Sequence, residues 1–377
     1  MLRKAKAIAP RPTGPSPDPI RVMIVDDSLT VRTIFRRMVE SDTAMQVSAS
    51  ASSAERAIAQ LKTTPVDVVL LDLEMPGIGG LKALPDILQA RANVQVLVVS
   101  SLTQDGAEAT LKALSTGAAD TMLKPRPGGF NEEYRSQLLA KIHALGDDRT
   151  HSVEATNPPP SAPKSARPSR ALIGNARPEV IAIGASTGGI HALNLMLRAL
   201  TPDLDLPILI TQHLPASFIP VFARQVEAAS GRPTRIAEEG TEIRAGEIAI
   251  ATGHGHMTLR CTADRLIAKT CTQPARSGCL PSVDPMLTSL ADACEGRVLA
   301  IILSGMGRDG LAGAEILAKA GGTIWAQDPQ TSAVWGMPGA VTKAGLTRYT
   351  ASPEDLGAAA MAHLAGPAAS TASASPS

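Results

Sequence analysis

The sequence predicts an α/β protein made of two doubly wound parallel-sheet domains joined by a Pro-rich linker. Three observations support this prediction. The chain has 377 residues, which is room for two domains. In both halves, short runs of Val, Ile and Leu alternate with longer segments of helical period, and strands that are apolar throughout are typical of parallel sheets covered by helices. Between the halves lies a stretch rich in Pro, Ala, Ser and Arg, which cannot bury enough apolar surface to fold.

Composition divides the chain into five segments. Residues 1–20 are rich in Pro and basic residues and are expected to be a disordered tail. The first domain is expected at 21–146, a flexible linker at 147–177 and the second domain at 178–365. A second disordered tail of low complexity is expected at 366–377.

Composition also excludes several classes of protein. Hydrophobic residues make up 44% of the chain, but no apolar run reaches the length of a membrane span and the start lacks a signal peptide, so a cytoplasmic protein without membrane insertion is expected. A net charge of +1 and an aromatic content of 2% disfavour nucleic acid as a partner. The spacing of the four cysteines indicates neither a zinc site nor a disulfide framework.

In the first half, four predicted strands each end in polar side chains. The strands are expected at 21–25, 66–71, 94–99 and 121–123, and a helix before the last of them is expected to end at Gly117. The residues that follow the strands are, in order, Asp26 with Asp27, then Asp72, Ser100 and Lys124.

These side chains are expected to meet, because the carboxyl ends of parallel strands lie at one edge of the sheet. Three carboxylates repel each other unless a cation joins them, and their oxygens suit Mg²⁺. With a lysine and a hydroxyl beside them, they predict an aspartyl-phosphate site. Polar residues that merely end strands are the structural alternative.

With these features in this order, residues 21–146 resemble the receiver domain of two-component response regulators, a flavodoxin-like fold. The resemblance implies that Asp72 is the phosphoacceptor and that Asp26, Asp27 and Asp72 bind Mg²⁺. It further implies that Ser100 is the switch hydroxyl and that Lys124 binds phosphate. One departure is Thr121, which stands where receivers usually carry an aromatic switch residue.

The second half opens on a strand, a tight turn and a helix within VIAIGASTGGIHALNLML. The turn fails the dinucleotide fingerprint, since Ser186 replaces the second glycine, and it lacks the lysine of a P-loop. It matches G-x-S-x-G, which exposes a serine at the amino end of a helix. Ser186 is therefore a candidate nucleophile, with a helix N-cap as the alternative.

Among the seven histidines, His213 is the best candidate for the base of such a serine. It directly follows a predicted buried strand at 207–212, at the sheet edge where Ser186 is expected. A hydrogen-bonded histidine at a strand end is the alternative. His254 and His256 form an H-x-H pair in a predicted loop, without a third metal ligand at useful spacing.

The orienting carboxylate is expected at the same edge. Asp309 lies in the loop Ser-Gly-Met-Gly-Arg-Asp-Gly, which follows a predicted strand at 298–303. Asp284 and Asp328 are rivals, and both are also suited to fixing loops by local hydrogen bonds. The chain order Ser, His, Asp differs from that of α/β-hydrolases, so that fold is not assigned.

With GASTGG, QHLP, PSVD, LSGMGRDG and AQDP followed by WGMP in this order, residues 178–365 resemble the catalytic domain of the chemotaxis protein-glutamate methylesterase, a Rossmann-like domain. The resemblance implies Ser186 as nucleophile, His213 as general base and acid, and Asp309 as orienting carboxylate. It also implies that the Met306 backbone amide serves the oxyanion and that Thr187 lines the site. Two departures concern substrate contacts: Leu280 replaces a frequent basic residue and Ile219 a frequent threonine.

The two resemblances together imply a phosphorylation-activated hydrolase of chemotaxis adaptation. It would remove methyl esters from glutamate side chains of methyl-accepting chemoreceptors and deamidate receptor glutamines. A chemotaxis histidine kinase would be the phosphodonor, and the unphosphorylated receiver would cover the esterase site. Mg²⁺ would serve only the receiver, and the esterase reaction would need no cofactor.

Two other functions stay open at this point. One is a response regulator with a nucleotide-binding, non-enzymatic output domain. The other is an esterase that acts on proteins outside chemotaxis.

Overall fold

The computed structural model describes residues 18–100, 103–125, 129–146, 177–200, 204–263 and 265–364. The predicted linker lies outside the described residues except for Arg177, whose guanidinium donates to the backbone carbonyl of Leu364 at 2.7 Å. The predicted tail at 366–377 lies wholly outside them. None of the helices in the described part of the chain has the length and hydropathy that crossing a bilayer needs.

The first domain is a five-stranded parallel sheet in the order β2-β1-β3-β4-β5. Its strands are β1 Ile20–Val25, β2 Met45–Ala51, β3 Val68–Asp72, β4 Gln95–Ser100 and β5 Asp120–Leu123. Its helices are α1 Leu29–Val39, α2 Ala54–Leu61, α3 Gly79–Ala90, α4 Gln104–Thr116 and α5 Glu132–Gly146. Helix α4 ends at Thr116, and Gly117, with a φ of 125°, is its C-cap as predicted.

The second domain contains a seven-stranded parallel sheet and a smaller three-stranded sheet. In chain order its strands are β6 Val180–Ala185, β7 Ile208–Gln212, β8 Thr234–Ala237, β9 Glu242–Ile243, β10 Ile248–Ala251, β11 His256–Thr262, β12 Arg265–Cys271, β13 Val298–Ile302, β14 Thr323–Gln327 and β15 Thr347–Ala351. Its helices are α6 Gly189–Ala199, α7 Ile219–Ser230, α8 Val283–Ala293, α9 Leu311–Lys319, α10 Met337–Lys343 and α11 Pro353–Leu364.

The strand order of the large sheet, β15-β14-β13-β6-β7-β10-β8, places β6 between β13 and β7. The chain runs from β6 to β7 on one side and reaches β13 on the other, so the topology switches direction next to β6. Ligands and catalytic groups of open α/β sheets collect beyond the strand ends at such a point. The residues that follow β6, β7 and β13 are therefore the first place to look for a site.

The small antiparallel sheet, β11-β12-β9, was not predicted. Its strands are exposed at several positions, so they lack the continuous apolar runs that revealed the others. His256 opens β11 and is buried, rather than lying in a loop as predicted. Its Nε2 lies 2.9 Å from the Gln273 carbonyl and its Nδ1 accepts from the Ser282 amide at 2.9 Å, which leaves neither nitrogen for a metal.

The two domains pack against each other through α4 of the first and α6 and α7 of the second. The contact is partly apolar, since one continuous cluster of buried side chains includes members from both domains. Val334, from the segment before α10, packs with buried side chains of the first domain. The carboxyl edge of the large sheet thus lies close to the first domain.

Candidate functional site

The polar residues predicted at the edge of the first sheet do meet. Lys124 Nζ lies 2.8 Å from Asp26 Oδ2 and 2.7 Å from Asp72 Oδ2. One carboxylate oxygen from each of Asp26, Asp27 and Asp72 lies within 4.8 Å of the others. Oxygens from three carboxylates at this separation fit a hard divalent cation such as Mg²⁺.

Asp72 is a buried carboxylate of this cluster. Burial raises its pKa, the hydrogen bond from Lys124 opposes that rise, and the nearby charge of Asp26 adds to it. Ser100 ends β4 at the same edge with its hydroxyl buried. Thr121, at the position of the expected aromatic residue, lies on β5 and is half-buried.

Ser186 lies in the tight turn between β6 and α6. Helix α6 takes Gly188 as its N-cap, with a φ of 76°, so Ser186 precedes the cap and the alternative of a serine N-cap is wrong. A Cβ on Gly188 would stand 2.5 Å from Ala333 Cβ and 2.6 Å from Ser304 Oγ, so this turn needs glycine for space as well as for its left-handed backbone.

Ser186, His213 and Asp309 form one line of hydrogen-bonding side chains. Ser186 Oγ lies 3.1 Å from His213 Nδ1, and His213 Nε2 lies 2.8 Å from Asp309 Oδ2. Because a carboxylate only accepts, Nε2 carries the proton of a neutral imidazole, and Nδ1 can then accept from the Ser186 hydroxyl. Each residue follows the end of a different strand of the large sheet, as predicted.

Asp309 is fixed from two further directions. Its Oδ1 accepts from Ser282 Oγ at 2.6 Å and its Oδ2 accepts from the Val283 amide at 2.7 Å. Burial alone would raise the pKa of Asp309, but the hydrogen bonds from His213, Ser282 and Val283 outweigh it and lower that pKa. Asp309 therefore stays ionised beside the imidazole.

The hydrogen bond to Asp309 also affects the pKa of His213. Burial alone would lower it, but the Asp309 carboxylate and the Cys279 sulfur outweigh burial and raise the pKa of His213 to about 9. The arrangement thus stabilises the imidazolium form, which is the form that a general base passes through when it removes a proton.

Neither rival carboxylate bonds to His213. Asp284 Oδ1 accepts from the Gly313 amide at 2.8 Å, and burial is the main cause that raises the pKa of Asp284 to about 6. Asp328 Oδ1 accepts from the amide and the hydroxyl of Thr331 at 2.8 and 2.9 Å. Asp328 thus fixes its own loop, which is the alternative role that the sequence predicted. Asp284 instead joins the first turns of α8 and α9.

The loop that carries Met306 packs directly against Ser186. The Ser186 amide donates to the Ser304 carbonyl at 3.0 Å. A Cβ on Gly305 would stand 2.9 Å from Ser186 Cβ and 2.3 Å from Met337 Sδ, so only glycine allows this approach. Met306 follows at once, and its side chain is exposed at the mouth of the site.

Thr187 faces the first domain. Its hydroxyl donates to Asp120 Oδ2 at 2.6 Å, and the same oxygen lies 2.5 Å from Lys141 Nζ. The Gly188 amide donates to the Ala119 carbonyl at 2.5 Å. The two residues directly after Ser186 are therefore held by β5 and the segment before it.

The sequence missed four residues that contact this site. Gln212 Nε2 donates to the Ser186 carbonyl at 3.0 Å, and Gln327 Oε1 accepts from the Ser304 amide at 2.7 Å. Each of these glutamines is the last residue of a parallel strand, so the expectation that polar residues at strand ends meet at one sheet edge could have identified them. Ser282 and Cys279 lie in a segment between β12 and α8 that no strand end marks, and only the folded chain brings them to Asp309 and His213.

The carboxylate cluster with its lysine lies in the first domain, and the serine, histidine and aspartate lie in the second. The class of protein is a response regulator with a hydrolase as its output domain. Two family models match in the same places: the response regulator receiver domain over residues 22–129 and the methylesterase described as CheB methylesterase over residues 181–360.

Curated relatives span almost the whole chain. A protein-glutamate methylesterase/protein-glutamine glutaminase of Azospirillum brasilense is 39% identical over 372 residues, which cover 93% of this chain and 94% of the relative. A protein of the same name, numbered 2, from Caulobacter vibrioides is 41% identical over 343 residues, 90% of this chain and 97% of the relative. The chain belongs to the protein-glutamate methylesterase/protein-glutamine glutaminase family.

Among solved structures, the Thermotoga maritima CheB methylesterase catalytic domain is 30% identical with a TM-score of 0.47, covering 48% of this chain and 96% of that one. The response regulator domain of Thermotoga maritima CheB is 35% identical with a TM-score of 0.30, covering 33% of this chain and 94% of that one.

Proposed function

We propose that the chain is a phosphorylation-activated protein-glutamate methylesterase and protein-glutamine glutaminase, acting on methyl-accepting chemoreceptors from the cytoplasm. The observation that carries the catalytic part is the hydrogen-bonded line from Ser186 through His213 to Asp309 at the switch point of the large sheet. The names of the relatives supply the substrate class.

In the proposed mechanism, His213 Nδ1 takes the proton of the Ser186 hydroxyl while Ser186 Oγ attacks the carbonyl carbon of the substrate side chain. Asp309 stabilises the imidazolium that forms. The imidazolium then returns the proton to the leaving group, which is methanol from an ester or ammonia from an amide. Water, deprotonated by His213, hydrolyses the acyl-enzyme and restores the Ser186 hydroxyl.

The negative oxygen of the tetrahedral intermediate needs donors close to Ser186. The Met306 backbone amide is the proposed donor, since its loop is pressed against Ser186 at Gly305. The amino end of α6 begins three residues after Ser186 and favours negative charge at the same place.

The first domain is the proposed receiver, with limits of 21–146, and the esterase domain is proposed at 178–365. Asp72 would accept the phosphoryl group from a chemotaxis histidine kinase. Asp26, Asp27 and Asp72 would hold Mg²⁺, which supplies charge neutralisation when bound. Lys124 would then pair with the phosphoryl oxygens, and Ser100 would donate its buried hydroxyl to them.

The contacts of Thr187 and Gly188 with the first domain support the regulatory part. Both residues directly follow the proposed nucleophile, so a receiver held there limits the approach of a receptor helix. Phosphorylation at Asp72 would favour a packing that releases this contact. The esterase site is then covered in one state and uncovered in the other, and phosphorylation shifts the equilibrium between the two states.

The test is methanol release from methylated chemoreceptor membranes, with and without a small-molecule phosphodonor and Mg²⁺. The native chain, Ser186→Ala and Asp72→Ala are compared. Release should disappear in Ser186→Ala, and stimulation by the phosphodonor should disappear in Asp72→Ala. Release that survives in Ser186→Ala would reject the catalytic assignment, and no release from competent receptors would reject the substrate.

A further inference from the structure

We infer that Cys279, together with His213 and Asp309, forms an inhibitory binding site for a thiophilic divalent cation such as Zn²⁺. The inference rests on the proposed function, because the inhibited group is the proposed general base. One ligand atom from each residue, the thiol sulfur, an imidazole nitrogen and a carboxylate oxygen, lies within 4.8 Å of the other two.

The three ligand types match what zinc prefers. Zinc takes cysteine sulfur at about 2.3 Å and histidine nitrogen or carboxylate oxygen at about 2.0–2.2 Å in a tetrahedron. Such bonds place neighbouring ligand atoms about 3.3–3.6 Å apart. His213 Nε2 and Asp309 Oδ2, now 2.8 Å apart, therefore open slightly to admit the cation, and the Cys279 sulfur, which lies within 4.8 Å of both ligand atoms, completes the set. Water would fill the fourth position.

Cys279 is placed where it can make this movement. It is half-buried in the segment before α8, and most of residues 272–280 are exposed. Its sulfur lies 3.9 Å from the Ser277 carbonyl, a weak and easily exchanged contact. Solvent and ions can therefore reach the sulfur without unfolding the domain.

Asp309 and His213 can bind the cation while the rest of the site stays in place. The cation replaces the proton that lies between His213 Nε2 and Asp309 Oδ2, which are 2.8 Å apart. Asp309 keeps its hydrogen bonds from Ser282 and Val283, and because a carboxylate offers about four lone pairs, it can bind the cation as well. The side chain of His213 is 15% exposed, so one edge of the ring is accessible.

Binding would stop the proposed reaction at its first step. A neutral imidazole has a lone pair on one nitrogen only. When the cation binds Nε2, the proton that Nε2 carried passes through solvent to Nδ1, so His213 has no pair left to accept the Ser186 proton. The thiol releases its proton to solvent as the sulfur–metal bond forms, so binding strengthens as pH rises.

The two metal sites of the chain would then differ in chemistry. Asp26, Asp27 and Asp72 offer oxygen ligands alone and suit Mg²⁺, whereas Cys279 adds a soft sulfur that Mg²⁺ does not favour. Mg²⁺ should therefore support receiver phosphorylation without inhibiting the esterase.

The experiment measures methyl-ester hydrolysis by the full chain, with Mg²⁺ and phosphodonor, over a series of Zn²⁺ concentrations. Cys279→Ser is the test variant, and Cys271→Ser, which removes another half-buried cysteine, is the matched control. Each protein is compared with its own metal-free rate. At the Zn²⁺ concentration that slows the native chain tenfold, Cys271→Ser should be slowed equally and Cys279→Ser by less than twofold.

Cadmium supplies a readout that does not depend on activity. Cd²⁺ bound to thiolate absorbs in the ultraviolet. The native chain and Cys271→Ser should show an absorption band that saturates at one Cd²⁺ per chain, and Cys279→Ser should lack it. Thermal unfolding checks that both variants fold.

Three outcomes would each overturn the inference: Zn²⁺ inhibits Cys279→Ser as strongly as the native chain, Cys279→Ser keeps the native cadmium band, or Zn²⁺ does not slow the native chain. If the native chain hydrolyses no ester, the cadmium band still reports on the metal site, so the two failures are distinguishable.

Discussion

At the scale of single residues, His213 sets the pH range in which the proposed base is available. A general base must be neutral, so hydrolysis is lost as pH falls through its pKa. The neighbouring Asp309 and Cys279 raise that pKa to about 9 against the effect of burial. We expect kcat/KM for ester hydrolysis to rise with pH, with its midpoint above the ordinary histidine value of about 6.5.

The control for this pH profile is Asp309→Asn, which removes the charge that stabilises the imidazolium. Its midpoint should move to lower pH, and its kcat should fall by roughly 10³ to 10⁴. A native midpoint at or below the ordinary histidine value would contradict the prediction.

Ser282 is a positioning residue whose role can be measured separately. It is fully buried and donates to Asp309 Oδ1 at 2.6 Å. Ser282→Ala removes a charge-assisted hydrogen bond of about 1.5–3 kcal/mol, so kcat should fall about tenfold or more while KM stays within about twofold. Steady-state kinetics with a thermal-unfolding control checks this, and Ser282→Thr should restore part of kcat. A change in KM alone would show that Ser282 acts on substrate binding instead.

How far the site could be predicted depended on where each residue sits in the chain. Ser186 and His213 follow buried strands, and the carboxyl ends of parallel strands meet, so local sequence was enough to pair them. Asp309 could not be separated from Asp284 and Asp328 by sequence. That choice depends on where three loops fold, and in the structure the other two carboxylates bond to Gly313 and Thr331.

At the scale of elements, β5 and the segment before it hold the turn after Ser186. Asp120, at the start of β5, accepts from the Thr187 hydroxyl and pairs with Lys141 on α5. We expect Asp120→Ala to raise hydrolysis by the unphosphorylated chain about tenfold or more, because a lost charge-assisted hydrogen bond of about 1.5–3 kcal/mol shifts the balance towards the uncovered state. The rate of methanol release without phosphodonor measures this.

The matched control breaks another contact between the same two domains. Glu108 on α4 lies 2.9 Å from Arg224 on α7, and both side chains are more than half exposed. An exposed ion pair contributes little, so Glu108→Ala should change the rate by less than about twofold. Equal effects of the two variants would show that Asp120 has no particular role in covering the site.

Secondary structure was predictable where its burial pattern was simple. The predicted strands at 21–25, 66–71, 94–99, 121–123, 207–212 and 298–303 lie within two residues of the observed limits of β1, β3, β4, β5, β7 and β13. No prediction covered β2, β8 and β15. Exposed positions interrupt the apolar pattern in β2 and β15, as they do in the antiparallel strands β11 and β12. Such strands are specified by their partners more than by their own sequence.

At the scale of the whole molecule, the first domain should act on the second as a removable inhibitor. A fragment that begins at residue 177 retains all the described elements from β6 to α11. We expect it to release methanol faster than the unphosphorylated full chain, and to ignore the phosphodonor. Fragment and full chain are compared at equal concentration with the same receptor membranes. A fragment no faster than the unphosphorylated chain would show that the contact between the domains does not limit access.

The contact that β5 makes with the turn after Ser186 joins two parts of one covalent chain. A tethered domain is present at an effective concentration fixed by its linker, and dilution does not change that value. The fraction of molecules whose site is covered is then independent of the protein concentration. Cells that hold few copies and cells that hold many would share the same resting activity per molecule, and phosphorylation would raise it in both.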